Sequence, residues 1–199
     1  MSDSQLIKLT GLVLNKTSYG EANQFIDIFT KEQGKVTVIA KGVLRPNAKL
    51  RAYLEPNYLL SIELSGRSKI PILTAVEVID TIQLSSLEMI EAISLIIRLL
   101  SNYSIHQHPQ PELWQALVDI YQNFNNTNLN LIQIYFKSKL LDQSGSLPNL
   151  DINKIPQKLL FDVINVDTIA LLKLFDTKSL SMYDKRFEGW LDQLIIQLL

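Results

Sequence analysis

The sequence contains no cysteine and only two histidines among its 199 residues. Without cysteine the chain cannot form a disulfide framework, a thiolate metal site or a cysteine nucleophile. His106 and His108 lie just before Pro109. They could supply two metal ligands, but a stable site usually needs about three or four, and no carboxylate is suitably spaced to complete one. We therefore expect a solvent-exposed loop here, and no metal or other cofactor.

Patterns that carry catalysis are also missing. The seven glycines are scattered and form neither a GxGxxG motif nor a Walker loop. Carboxylate pairs such as Glu88 with Glu91 have spacings that are typical of helix caps and solvated faces. Because no nucleophile can be paired with a base, we expect a protein that is not an enzyme. A hydrolase or transferase would need a well-formed pocket with a buried, strongly perturbed carboxylate.

The chain lacks a long hydrophobic run. Its longest apolar stretch, residues 89–100, is interrupted by Glu91 and Arg98 and is much shorter than the roughly 20 residues of a membrane span. The opening residues, MSDSQLIK, show no basic segment followed by an apolar core, which a secretory signal would have. We therefore expect a cytoplasmic protein, associated with the nucleoid if it binds DNA.

Positive charge is concentrated in one part of a chain whose formal net charge is −1. Residues 1–69 carry ten Lys and Arg against six Asp and Glu, whereas residues 70–199 carry nine against fourteen. In residues 31–55 only Glu32 and Glu55 oppose six cations, which are Lys31, Lys35, Lys41, Arg45, Lys49 and Arg51. Such a cluster is typical of a surface that binds a polyanion. A solvated strand edge that carries lysines against aggregation is the other interpretation.

Five strands are predicted before the pattern changes near residue 82, at residues 6–15, 24–30, 35–41, 58–64 and 70–79. In the fourth, Tyr58, Leu60, Ile62 and Leu64 should be buried, with Ser61 and Glu63 facing water. In the fifth, Ile72, Thr74, Val76 and Val78 share a face. The close turns leave no room for crossover helices, so a small antiparallel barrel or sandwich is expected. The five-stranded OB-fold is the commonest such fold that also binds single strands.

Helical periodicity follows the strands. Ser85 and Glu88 predict a capping box at the first helix, and Pro111 suits the first turn of a second. Further helices are predicted at residues 129–143, 156–164 and 167–176 and from Asp184 onward. The fold class is therefore α+β, with a β domain over residues 1–82 and a helical domain over residues 83–199.

Aromatic residues fall into two groups. Those on apolar helical stripes are expected in the core, namely Trp114, Tyr121, Phe124, Phe187 and Trp190. Tyr19 and Tyr53 border the basic segment instead, where an exposed ring could stack on a base.

Several short motifs in the first third resemble the N-terminal domain of the RecO family. They are GLVL at residues 11–14, YGEAN at 19–23, FTKEQGK at 29–35, AKG at 40–42 and LRAYLEP at 50–56. Residues 136–149 are similar to the stretch that precedes a zinc-binding loop in many members. Here the corresponding region near residues 145–156 is reduced and its cysteines are absent, so no metal is carried over.

The resemblance implies an N-terminal OB-fold, a helical domain and no catalytic centre. It implies a DNA repair and recombination mediator that binds single- and double-stranded DNA and anneals complementary strands. It also implies a RecR-like partner, and loading of recombinase onto DNA coated by single-stranded DNA-binding protein (SSB), whose C-terminal tail would bind the helical domain.

Individual positions follow from the same resemblance. The family's DNA-facing basic positions correspond to Lys35, Lys41, Arg45, Lys49 and Arg51, whereas Leu44 replaces a residue that is basic in many members. By position, the candidates for the SSB tail are Arg98, Lys137 and Lys139. The residues alone also leave open a protein-interaction adaptor whose basic barrel docks an acidic partner.

Overall fold

The computed structural model describes residues 6–66, 69–123, 129–147, 149, 151, 157, 160, 163–165 and 184–196. The strands are β1 (Ile7–Tyr19), β2 (Asn23–Thr30), β3 (Gly34–Ala40), β4 (Tyr58–Ser65) and β5 (Ile72–Thr81). A 3-10 helix, Lys49–Tyr53, lies between β3 and β4. The longer helices in the described residues are α1 (Leu87–Tyr103), α2 (Pro111–Asn123), α3 (Leu129–Gln143) and α4 (Asp184–Ile196).

The five strands close into a barrel in the order β1-β2-β3-β5-β4, and β4 pairs back onto β1. Neighbouring strands are antiparallel except β3 and β5, which run parallel and pair only at Ile39 and Ile72. The barrel interior is filled by apolar side chains from all five strands, such as Val13, Ile28, Val38 and Ile62. The predicted α+β class and five-stranded OB-fold are confirmed.

The chain divides into two compact units, Met1–Trp114 and Gln115–Leu199. The first unit includes α1 and the segment after it, which returns to the barrel. There Lys35 donates its backbone N–H to the Ile105 carbonyl at 3.1 Å and accepts from Gln107 N–H at 3.0 Å. The ring of Phe29, fully buried on β2, lies 6.0 Å from that of Trp114.

Two differences separate the observed strands from the predicted ones. The first strand continues to Tyr19 and does not end at residue 15 as predicted, so Thr17 and Ser18 also pair with β2. In β5 the predicted alternation is wrong at Thr74, which is exposed while Leu73 is buried. The pairing of β4 with β5 shifts between Glu63 and Leu64, so Thr74 is an extra residue in a β-bulge.

The predicted polar face of β4 is wrong at Ser61, which is only 9% exposed. Its strand lies between β1 and β5, where Ser61 pairs with Thr10 and Glu77. Side chains from these two neighbours can shelter a small residue even on the outward face of a barrel. The alternation does hold for Leu60, Ile62 and Leu64, which are buried.

The predicted capping box of Ser85 with Glu88 is wrong, because α1 is capped one residue later. Ser86, not Ser85, is the N-cap, and its hydroxyl accepts from the Met89 N–H at 3.3 Å. The carboxyl of Glu88 has its pKa lowered by a hydrogen bond from its own backbone N–H and by one from the Ser86 hydroxyl. Glu88 therefore stabilises the helix start from the first turn, where a negative charge also complements the helix dipole.

The second unit contains the described part of the helical core. On α3 and α4 it buries Phe136, Leu140, Phe187 and Leu191, with Trp190 partly exposed. The bounds predicted for the helix at residues 129–143 are confirmed. In the predicted helix at 156–164, Gln157, Leu160 and residues 163–165 are helical, while Pro156 lies outside the described residues. The predicted helix at 167–176 and Phe124 also lie outside them.

Candidate nucleic-acid interface

The loop of residues 41–57, which joins β3 to β4, is anchored in the barrel at both ends. Val43 and Leu54 are each 1% exposed and belong to the barrel core. The backbone N–H of Leu44 donates to the Ala22 carbonyl at 3.0 Å, and that of Gly42 donates to the Asn23 side-chain oxygen at 2.8 Å. These bonds hold the loop beside the turn between β1 and β2, so its side chains project from a fixed base.

Four of the five predicted DNA-binding residues lie on this loop. Lys41, Arg45, Lys49 and Arg51 are all exposed. Within the described part of the chain none of the four forms an ion pair; the pairs found there are Lys16 with Glu55 and Lys137 with Asp192. Their charges are therefore available to an anion from solution. We call these four residues the loop cations.

Lys35, the fifth predicted residue, lies apart from the loop cations. It sits near the opposite end of β3, six residues and about 20 Å from Lys41 at the usual rise of a strand. Its ammonium donates to the Ser101 carbonyl at 2.8 Å, in the last turn of α1. A cation at a helix C-terminus is favourable because the exposed carbonyls carry negative partial charge. The structure thus gives Lys35 a part in fixing α1 to the barrel, and DNA contact at all five positions stays a prediction.

The two acidic residues of the basic segment do not neutralise the loop cations. Glu32 lies in the turn between β2 and β3, at the other end of the barrel, and accepts from the Thr10 N–H at 2.9 Å. Glu55 is paired with Lys16 at 3.2 Å, and the same ammonium donates to the Leu54 carbonyl at 2.8 Å. Glu21 is exposed in the adjacent turn. Sequence reasoning missed the role of Lys16, because nothing in the sequence links it to a residue 39 positions away.

Exposed aromatic rings accompany the loop cations. Tyr19 at the end of β1 is 52% exposed and Tyr53 at the end of the 3-10 helix is 45% exposed. The ring of Tyr19 packs on that of Phe25, with centroids 4.6 Å apart. Tyr58, by contrast, is partly buried against the barrel core, as predicted. Surfaces that bind single strands usually combine aromatic rings with cations, since every base offers a face for stacking.

No group of three or more His, Asp or Glu side chains that could hold a metal occurs among the described residues. His106 and His108 are exposed, as predicted. Over the same part of the chain no helix has the length and apolar character needed to cross a membrane.

Two of the three lysine and arginine candidates for the SSB tail are engaged within the second unit. Lys137 is buried and its ammonium lies 2.6 Å from the Asp192 carboxylate. Lys139 donates to the Ile164 carbonyl at 2.7 Å and lies 5.7 Å from the centre of the Tyr135 ring. Arg98, on α1 of the first unit, is exposed.

Residues 1–82 match the family model described as "Recombination protein O N terminal". A DNA repair protein RecO from Bacillus pumilus is 28% identical over 149 residues, which cover 73% of this chain and 58% of that protein. One from Actinobacillus pleuropneumoniae is 40% identical over 67 residues, covering 34% of this chain and 28% of the relative. One from Idiomarina loihiensis is 31% identical over 118 residues, covering 58% and 50%.

Residues 1–82 thus form a closed five-stranded OB-fold barrel that matches the model of the N-terminal domain of recombination protein O. The chain is a relative of the RecO proteins, and the resemblance indicated by the sequence motifs is confirmed. The matched region spans 58% of the length of the Bacillus pumilus relative.

Proposed function

We propose that this protein is a non-enzymatic DNA repair and recombination mediator that binds DNA with the loop cations and anneals complementary single strands. One observation supports this proposal best. Four exposed cations, which form no ion pair within the described residues, lie on one anchored loop of a RecO-type domain. Its relatives are named DNA repair proteins.

The proposed chemistry is charge neutralisation. Two single strands repel each other through their phosphates, and cations that bind phosphate displace the counterions around each strand. Tyr19 and Tyr53 can stack on unpaired bases beside the bound phosphates. A surface that neutralises phosphates while leaving base edges free lowers the barrier to pairing, so no nucleotide cofactor or catalytic side chain is required.

In the cell the proposed mediator loads recombinase onto SSB-coated single strands together with a RecR-like partner. For the SSB tail, Arg98 is the candidate whose side chain is exposed, whereas the ammonium groups of Lys137 and Lys139 already have partners inside the second unit. An acidic peptide would thus meet a cation on α1 more readily than on α3.

Charge reversal tests the proposal, with annealing of complementary oligonucleotides as the readout. The double variant Lys41→Glu with Arg45→Glu should anneal at least about tenfold more slowly than wild type, because two phosphate contacts become repulsive. The matched control is Lys8→Glu with Lys31→Glu, which makes the same change of charge at two exposed lysines away from the loop. It should retain most of the annealing rate.

Equal slowing by the two double variants would contradict the assigned surface. If the wild-type protein binds no DNA even at low salt, the mediator proposal fails. The loop cations would then be explained better by the adaptor alternative, in which they dock an acidic protein.

A further inference from the structure

A cavity lies in the first unit, at the end of the barrel opposite the loop cations. Its volume is about 490 Å³, within the roughly 300–1,000 Å³ typical of small-ligand pockets. Val36, Leu64 and Ile70 contribute apolar surface, and Gln33, Lys69 and Gln107 contribute polar groups. We call it the seam cavity, because it opens where β3 and β5 separate.

The seam exposes backbone hydrogen-bonding groups of β3. On its side away from β2, Lys35 bonds to the segment after α1, and Ile39 donates its N–H to the Pro71 carbonyl at 2.9 Å. Thr37 lies between them in the same orientation, since alternate residues of a strand point their N–H and C=O groups the same way. No residue that the structure describes takes up the Thr37 backbone groups on this side. Thr37 also lines the cavity.

Gln107 has a backbone conformation that a glutamine rarely adopts. Its φ of 54° is the one positive value among the non-glycine residues that the structure describes. Its N–H bond to the Lys35 carbonyl holds it there, and glycine would adopt this conformation without strain. Strained residues of this kind concentrate at binding sites. Here the residue with this conformation lines the seam cavity.

The residues that line the seam cavity indicate the kind of ligand that it would bind. Among the described residues the lining contains no carboxylate, so it does not favour a cation. Side-chain amides and a backbone N–H and C=O pair match the adjacent donors and acceptors on the edge of a nucleobase. Aliphatic side chains suit its flat faces, and the exposed ammonium of Lys69 suits the neighbouring phosphate.

We propose that the seam cavity takes one unpaired nucleobase of a bound single strand, with the Gln107 amide and the Thr37 backbone meeting its edge. This inference rests on the proposed DNA binding and adds a base-reading site to it. Thr37 is four residues from Lys41, about 13 Å along β3, so one single strand can reach both.

The test compares two oligonucleotides of equal length by fluorescence anisotropy, one natural and one abasic throughout, which carries the same phosphates without bases. The variant is Gln107→Gly, which removes the amide and relieves the backbone. It should lose about fivefold in affinity for the natural strand and nothing for the abasic strand. The control Gln83→Gly, at an exposed residue outside the cavity, should bind both strands like wild type.

The unfolding temperature of Gln107→Gly should stay close to that of wild type, which separates loss of the amide from loss of the fold. Unchanged affinity of this variant for both strands, or an equal loss for both, would overturn the base-reading site while leaving the phosphate surface intact. Failure of wild type to bind either strand would overturn both proposals.

Discussion

Two glycines in the barrel share a left-handed backbone but differ in their surroundings. Gly20, in the turn between β1 and β2, has a φ of 62° and no atom near the position that a Cβ would take. Gly34, at the start of β3, has a φ of 65°, and a Cβ there would lie 2.0 Å from the His108 carbonyl oxygen. That oxygen belongs to the backbone segment that returns from α1, so the clash cannot be relieved by a side-chain rotation.

The two positions therefore predict different costs for the same substitution. Gly20→Ala should lower the free energy of unfolding by about 1 kcal/mol, which is the usual strain of a left-handed non-glycine residue. Gly34→Ala should lower it by at least about 3 kcal/mol, because the returning segment must also move. Urea unfolding of both variants measures the difference. Equal losses would mean that the segment after α1 does not pack against β3 as described.

At the scale of elements, one ion pair joins α3 to α4 in the second unit. The Lys137 side chain is 5% exposed, whereas the side chain of its partner Asp192 is 49% exposed. When one member of such a pair is removed, the remaining residue stays as buried or as exposed as it was before. The buried ammonium without a partner is the costly case, since an exposed carboxylate is solvated by water.

This asymmetry predicts unequal effects of two single substitutions. Asp192→Ala should destabilise the protein by about 2 kcal/mol, because it leaves the buried Lys137 ammonium without its partner. Lys137→Met should cost less than about 1 kcal/mol, since methionine fills a similar volume without a charge. Chemical unfolding of the two variants measures both values. A larger loss for Lys137→Met would show that the ammonium contributes more than its bond to Asp192.

The elements themselves were largely predictable, because alternation and capping are local signals. The alternation of Leu60, Ile62 and Leu64 correctly predicted the position of β4, and Pro111 correctly predicted the start of α2. The bulge at Thr74 was not predictable, since the extra residue is defined only by pairing with β4. Ser85 and Ser86 are both acceptable caps in sequence, and packing of α1 decides between them.

The same distinction applies to the candidate site. Charge clustering found the loop cations, which are close in sequence. It could not find the bonds of Lys16 to Glu55 and of Lys35 to Ser101, because each joins residues brought together only by the fold. The strain at Gln107 likewise depends on its bond to β3 and has no signal in the sequence.

At the scale of the whole molecule, the main feature is the uneven distribution of charge. Residues 1–69 carry a net charge of +4 and residues 70–199 a net charge of −5, from the counts of Lys, Arg, Asp and Glu. A near-neutral protein with such a separation can still attract a polyanion to one region. DNA binding should therefore depend on salt far more steeply than the formal net charge of −1 would indicate.

The salt dependence of binding to a single-stranded oligonucleotide tests this central claim most directly. In a plot of log affinity against log salt concentration, each phosphate contact contributes about 0.7 to the slope for a single strand. The triple variant Lys41→Ala, Arg45→Ala and Arg51→Ala should therefore have a slope about 2 units shallower than wild type. Lys8→Ala with Lys31→Ala should leave the slope near the wild-type value. A folded triple variant with the wild-type slope would contradict the claim that the loop cations bind phosphates.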